Sequence, residues 1–180
     1  MAKHSDIQEK LRKEILKNSI EKVKEIEYLH YFIKEILRIY LVVSYIPPKI
    51  TLKDIQFDDY FIPKNTKIGI NIRGIHHSKK IYGDPEIFRP ERWSEKEQSK
   101  NKIPNNSWIP FSSGSRTCIG INFSLMEQKI FIFNLLTNFK INLIDLNAEI
   151  KTNPNSGMLQ GPMKMKIEFE KISSKNLNFT

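Results

Sequence analysis

Residues 119 to 136 constrain this chain more than any other stretch, because they read as a helix that is apolar on nearly every side. Phe123, Leu125, Met126, Ile130, Phe131, Phe133, Leu135 and Leu136 almost encircle it. A helix at the surface of a domain needs one apolar stripe, whereas a helix apolar all round belongs inside a larger body. Other elements must therefore pack against it. The chain has 180 residues, of which 39% are hydrophobic, and Ile, Phe and Leu recur along its whole length. That composition supports a modest core and argues against disorder.

The partners are legible upstream. Ile7, Leu11, Ile15 and Leu16 share one helical face, and Ser5 followed by Gln8 reads as a capping box. A second helix carries Ile26, Leu29, Ile33, Ile36, Leu37 and Tyr40 at spacings of three and four, and Pro47-Pro48 stops any continuation. The period then changes. Ile68, Ile70 and Ile72 alternate with Gly69, Asn71 and Arg73, as in a half-buried strand, after a turn at residues 63 to 66. With residues 50 to 62 this predicts a small antiparallel sheet. Residues 78 to 110 hold few regular signals, and an irregular stretch of that length is often functional. Near the end, Met163, Met165, Ile167 and Phe169 alternate with charged residues, predicting a strand after a Gly161-Pro162 turn. The expected fold class is mixed α and β, helix-dominated, with no internal repeat and no domain linker.

Charge and cysteine count narrow the function. Lys and Arg number 29 against 20 acidic residues, a net charge of +9. This suits a solvated basic surface or an acidic protein partner. No nucleic-acid motif accompanies the charge, so no nucleic-acid partner is expected. The longest apolar runs fall far short of the ~18 residues that span a bilayer. One cysteine, Cys118, excludes intrachain disulfides and multi-cysteine metal sites.

The surroundings of Cys118 give it a role. Residues 111 to 120 read Phe-Ser-Ser-Gly-Ser-Arg-Thr-Cys-Ile-Gly. Cys118 stands just ahead of the apolar helix, where unpaired N–H groups and the helix dipole favour an anionic sulfur. This segment resembles the cysteine-loop signature of cytochromes P-450, F-x-x-G-x-R-x-C-x-G, with Phe111, Gly114, Arg116, Cys118 and Gly120 at the five fixed positions. The resemblance implies a heme (iron protoporphyrin IX) whose iron takes Cys118 as axial ligand. It implies that Arg116 meets a heme propionate, that Gly114 and Gly120 allow a tight loop close to a flat ring, and that Phe111 shields the sulfur side.

Other segments resemble the same family. Glu35-Ile36-Leu37-Arg38 matches its E-x-x-R, and Glu35 and Arg38 share a helical face. Pro90-Glu91-Arg92-Trp93 matches its P-E-R-F or P-E-R-W, whose arginine, here Arg92, joins that pair. The three charges are expected to hold the cysteine loop from behind as structural support. The likeness runs from about His4 to Phe169. Two positions depart from the family: Leu41 replaces its usual proline, and the Arg or His that often meets a second propionate corresponds to about Lys49, which keeps the charge without the planar fork.

The resemblance implies a truncated C-terminal half of the P-450 fold, with residues 1–180 one partial domain on the heme-proximal side. The distal oxygen-activating helix and the membrane anchor are expected to be missing. The implied reaction class is heme-thiolate monooxygenase, an oxidoreductase inserting one oxygen atom from O₂ into a small organic substrate. A nicotinamide-dependent reductase would dock on the basic proximal face. Relatives commonly sit on the endoplasmic reticulum, but nothing in this chain fixes its compartment. Three readings stay open: a working monooxygenase, an inactive fragment or pseudogene product, and a non-enzymatic heme-binding module.

Overall fold

The first two apolar periodicities become helices α1 (Ser5–Leu16) and α2 (Glu27–Ile39). A short 3-10 turn at Ile20–Lys22 joins them. This is a computed structural model, and it describes residues 1–145 and 166–172. The apolar helix α6 (Ile121–Asn138) packs across α1 and α2. Leu11, Ile15, Leu29, Phe32, Ile33 and Leu136 make the centre of this core, each essentially inaccessible to solvent. Burial of such side chains contributes about 1.5–3 kcal/mol each, an upper estimate against an extended chain.

The capping box expected at Ser5 does not form. His4 takes the N-cap position, Ser5 is the first helical residue, and no side chain caps α1. Gln8 instead turns inward. Its Nε2 donates to the Ile141 carbonyl at 2.8 Å and its Oε1 accepts from the Ile141 N–H at 2.9 Å. A buried amide must find partners, and that requirement outweighs one exposed cap bond.

Arg12, one turn on, completes the same contact. Its guanidinium donates to the Leu136 carbonyl in the last turn of α6 and to the Phe139 carbonyl at 2.9 Å. A cation at a helix C-terminus satisfies carbonyls that have no intrahelical partner. Arg12→Ala leaves both oxygens without this donor in a buried place, so we expect a loss of about 2–3 kcal/mol. Urea unfolding checks it; an unchanged midpoint would count against this role for Arg12.

The predicted sheet exists as two separate two-stranded sheets, one of them a hairpin inserted between the strands of the other. Strands β1 (Ile46–Ile50) and β4 (Lys67–Ile70) pair antiparallel, and β2 (Ile55–Phe57) pairs antiparallel with β3 (Tyr60–Ile62). In the first, Ile46 faces Ile70 and Lys49 faces Ile68, so β1 bulges by one residue at Pro47-Pro48. A bulge accommodates prolines that cannot donate to a ladder. The turn at residues 63 to 66 forms as expected, with Asn65 at φ 66°. The strand alternation stops earlier than its pattern suggests. Asn71 caps a new helix, α3 (Ile72–His76), by accepting from the Gly74 N–H at 2.9 Å, and Ile72 is buried as a helical residue.

The irregular stretch contains only short helices. These are α4 (Lys79–Tyr82), a 3-10 turn at Pro90–Trp93, and α5 (Glu95–Lys100). Strand β5 (Phe139–Leu143) follows α6 and pairs antiparallel with β6 (Ile167–Lys171). The predicted alternation at Ile167 and Phe169 is thus a strand; Gly161, Pro162, Met163 and Met165 lie outside the described residues. The architecture is mixed α and β and helix-dominated, as the sequence implied. Among the described residues no helix is long and apolar enough to cross a membrane.

Candidate functional site

Glu35 and Arg38 leave α2 on one face and meet a third charge from the irregular stretch. Arg38 grips Glu35 with two parallel bonds, Nε to Oε2 at 3.0 Å and Nη2 to Oε1 at 2.9 Å. Arg92, from the 3-10 turn, donates its Nε to Oε1 at 2.9 Å. The Trp93 indole N–H donates to Oε2 at 2.9 Å, and the Arg89 backbone N–H to Oε1 at 3.0 Å. One carboxylate therefore accepts five hydrogen bonds. Glu35 and Arg38 are fully buried and Arg92 is nearly so. The guanidiniums spend their remaining donors on backbone: Arg38 on the His76 carbonyl at 2.8 Å, Arg92 on those of Tyr82, Asp84 and Ile87 at 3.0 to 3.1 Å. This is why residues 82 to 92 hold their course with so little regular structure.

Two routes lead from this network toward the cysteine. The first is aromatic. Trp93 packs edge-on against Trp108 at 6.3 Å between centroids, and Trp108 against Phe111 at 6.5 Å. The Trp108 indole donates to the Lys34 carbonyl at 3.0 Å, and the Lys34 ammonium lies over the faces of both tryptophans. The second route is His76, which is fully buried. Its Nε2 accepts from the Ile109 N–H at 2.9 Å, and its Nδ1 lies 3.3 Å from the Arg38 carbonyl.

Burial pushes the pKa of His76 down to about 4, so the ring is neutral in the fold. The unfolded chain takes up that proton near the ordinary value of about 6.5. The stabilisation is complete above pH 6.5 and drains away as pH falls toward 4, by on the order of 3 kcal/mol. Burial lowers His4 and His30 as well, which adds to the same slope. Unfolding free energies measured across pH 4 to 7 check it; His76→Gln flattens the slope.

The loop itself is built by its own backbone. The Ser112 N–H donates to the Ile109 carbonyl at 3.1 Å, and the Cys118 N–H to the Phe111 carbonyl at 3.0 Å. Ser112 and Gly114 both take left-handed conformations, at φ 68° and 81°; the second is where glycine's freedom is needed. A 3-10 turn at Gly114–Arg116 then delivers Cys118 to the start of α6. The helix proper begins at Ile121, with Gly120 at its N-cap, two residues later than the pattern suggested.

The exposed face of the loop has the makings of a heme site. The Cys118 thiol is exposed, and a Cβ on Gly120 would sit 3.8 Å from its sulfur, so the glycine keeps that sulfur uncovered. Arg116 is exposed and, among the described residues, makes no ion pair. Ile119 is wholly exposed to solvent and Phe123 largely so. A sulfur donor, a small neighbour, a cation and apolar surface are what an iron-bearing flat ring with carboxylate arms requires, so the residues present fit the group. Phe111 joins the loop to the aromatic route. Its ring packs edge-on against Trp108, and its carbonyl accepts the Cys118 N–H. Lys49 is exposed on β1 opposite Ile68, and no hydrogen bond ties it to the loop among the described residues.

Sequence spacing missed Trp93, Trp108 and His76. Their partners lie 58, 74 and 33 residues away, beyond any helical or strand period. Trp93 stood at the last position of the P-E-R-W match without a role of its own, and Trp108, of a rare type and close to the cysteine loop, offered a compositional hint.

Comparison with known proteins adds to this geometry. The family model for cytochrome P450 matches residues 1–169. Cytochrome P450 3A5 of Homo sapiens is 37% identical over 146 residues, covering 77% of this chain and 28% of that protein. Cytochrome P450 3A31 of Mesocricetus auratus is 34% identical over 148 residues, 78% of this chain and 29% of that protein. The probable cytochrome P450 6a23 of Drosophila melanogaster is 32% identical over 186 aligned residues, 96% of this chain and 36% of that protein. The chain thus spans about a third of the length of the curated relatives it matches.

Proposed function

This chain belongs to the cytochrome P450 family, and from that premise we propose that it forms the heme-proximal side of a heme-thiolate monooxygenase, with Cys118 the residue that would ligate the iron. One observation supports this above the rest: the chain's single cysteine is exposed beside Gly120 where the loop meets α6. A thiolate-ligated heme supplies O–O bond cleavage for oxygenation, and the P450s are themselves the standing example of that effect.

Everything else is work for this chain's own residues. Cys118 donates its sulfur, where the N-terminal end of α6 favours negative charge. Arg116 would pair with one propionate, and Lys49 would meet another as a point charge without a fork. Phe111, Gly114 and Gly120 fix the path of the loop. Glu35, Arg38 and Arg92 would support it from behind. A small organic substrate would be oxidised, with electrons from a nicotinamide-dependent reductase. The net charge of +9 favours an acidic docking face on that partner.

Titration of the chain with hemin tests the reading. The expected result is saturation at one heme per chain, with the low-spin ferric thiolate signal in electron paramagnetic resonance. Uptake that never saturates, or a histidine-type signal, would overturn it.

A further inference from the structure

We infer that His76 is a positioning residue that fixes the cysteine loop to the buried charge network, through its hydrogen bond from Ile109. The inference deepens the reading of Cys118 as the iron ligand and takes its functional meaning from it. Its structural content stands on the contacts alone.

His76 sits where three elements meet. It ends α3, and a reciprocal pair of contacts ties it to α2: the Arg38 guanidinium donates to the His76 carbonyl at 2.8 Å, and the His76 Nδ1 lies 3.3 Å from the Arg38 carbonyl. A carbonyl only accepts, so Nδ1 carries the proton. Nε2 is then an acceptor, and it takes the Ile109 N–H at 2.9 Å. That N–H belongs to an irregular segment with no sheet or helix to satisfy it, and Ile109 is buried against Leu41 and Ile72. A buried backbone donor needs a partner, and the imidazole supplies it.

The anchored residue is the root of the loop. Ile109 also accepts the Ser112 N–H through its carbonyl, at 3.1 Å, where the chain turns left-handed. Two residues on from Ile109, the Phe111 carbonyl accepts the Cys118 N–H at 3.0 Å. Fixing Ile109 therefore fixes both ends of the turn that carries the sulfur. The imidazole suits this task because one ring both donates to α2 and accepts from the loop. An apolar residue of equal size packs there and does neither. A charged histidine would present a donor to a donor.

The test is residue-resolved amide hydrogen exchange on the heme-free chain, so a failure of heme binding does not enter it. His76→Leu is expected to speed exchange at Ile109, Ser112 and Cys118 by about tenfold or more, with Leu29 and Phe133 unchanged. His76→Gln, whose amide oxygen reaches the position of Nε2, restores most of the protection. Loop protection that survives in the Leu variant would overturn the inference, as would a Gln variant that exchanges as fast as Leu. Should the Leu variant fail to fold, His76→Asn takes its place. Its shorter amide stops short of Ile109, so faster loop exchange in Asn than in Gln supports the role, and equal exchange refutes it.

Discussion

Glu35→Gln is expected to cost about 3–5 kcal/mol, enough to bring a domain of ordinary stability close to unfolding. The cause is asymmetric. The carboxylate accepts five hydrogen bonds and neutralises two guanidiniums that have almost no access to water. Glutamine keeps the shape and loses the charge. Its amide nitrogen also turns a donor toward at least one of the donors from Arg38, Arg92 or Trp93. Arg38 is then left buried without a counter-charge and Arg92 keeps only the half-exposed Asp84, at 3.9 Å, which is the costly way to break such a cluster.

Buried ion clusters can sometimes be replaced by apolar residues at little cost. That escape is closed here, because Arg38 and Arg92 also satisfy the carbonyls of His76, Tyr82, Asp84 and Ile87. Removing the charges together would leave the His76 and Ile87 oxygens without these donors in the interior, while those of Tyr82 and Asp84 keep backbone partners at 2.9 and 3.3 Å. Urea unfolding of Glu35→Gln checks the magnitude. A shift of less than about 1 kcal/mol would mean that water reaches the cluster.

How much of this was legible in the sequence depends on the distance over which each feature is decided. The three core helices follow from local apolar periodicity, since Leu11, Ile15, Leu29, Ile33, Phe133 and Leu136 are buried at the positions their spacing suggests. The Glu35–Arg38 pair is likewise local, three residues apart on one helix. Arg92 is 57 residues from Glu35, and only the family likeness joined the two. The capping box at Ser5 failed because Gln8 found Ile141, 133 residues away, and tertiary burial overrode a local pattern. The strand through Ile72 failed for a local reason that was present in the sequence. Asn71 is a good helix cap, and it ended the alternation one residue before Ile72. In the cysteine loop the glycines and the arginine were readable by position. The supports that reach it, Trp93, Trp108 and His76, were not, because each acts through a contact that only the folded chain creates.

Cys118→Ala is the second large effect, and it separates folding from function. The thiol is exposed and serves no part of the core, so the variant's stability is expected to change by less than about 0.5 kcal/mol. Its loss should nonetheless abolish thiolate ligation outright, because the chain has no second cysteine to take over. Thermal unfolding alongside hemin titration reads both consequences on one sample. A variant that unfolds early would place Cys118 in the scaffold and not in the site.

The most direct measurement is the carbon monoxide difference spectrum of the chain loaded with hemin and reduced, recorded beside Cys118→Ala. The expected result is a strongly red-shifted Soret band in the chain and its absence in the variant. A band of free or histidine-ligated heme in both would contradict the assignment of Cys118 as the iron ligand.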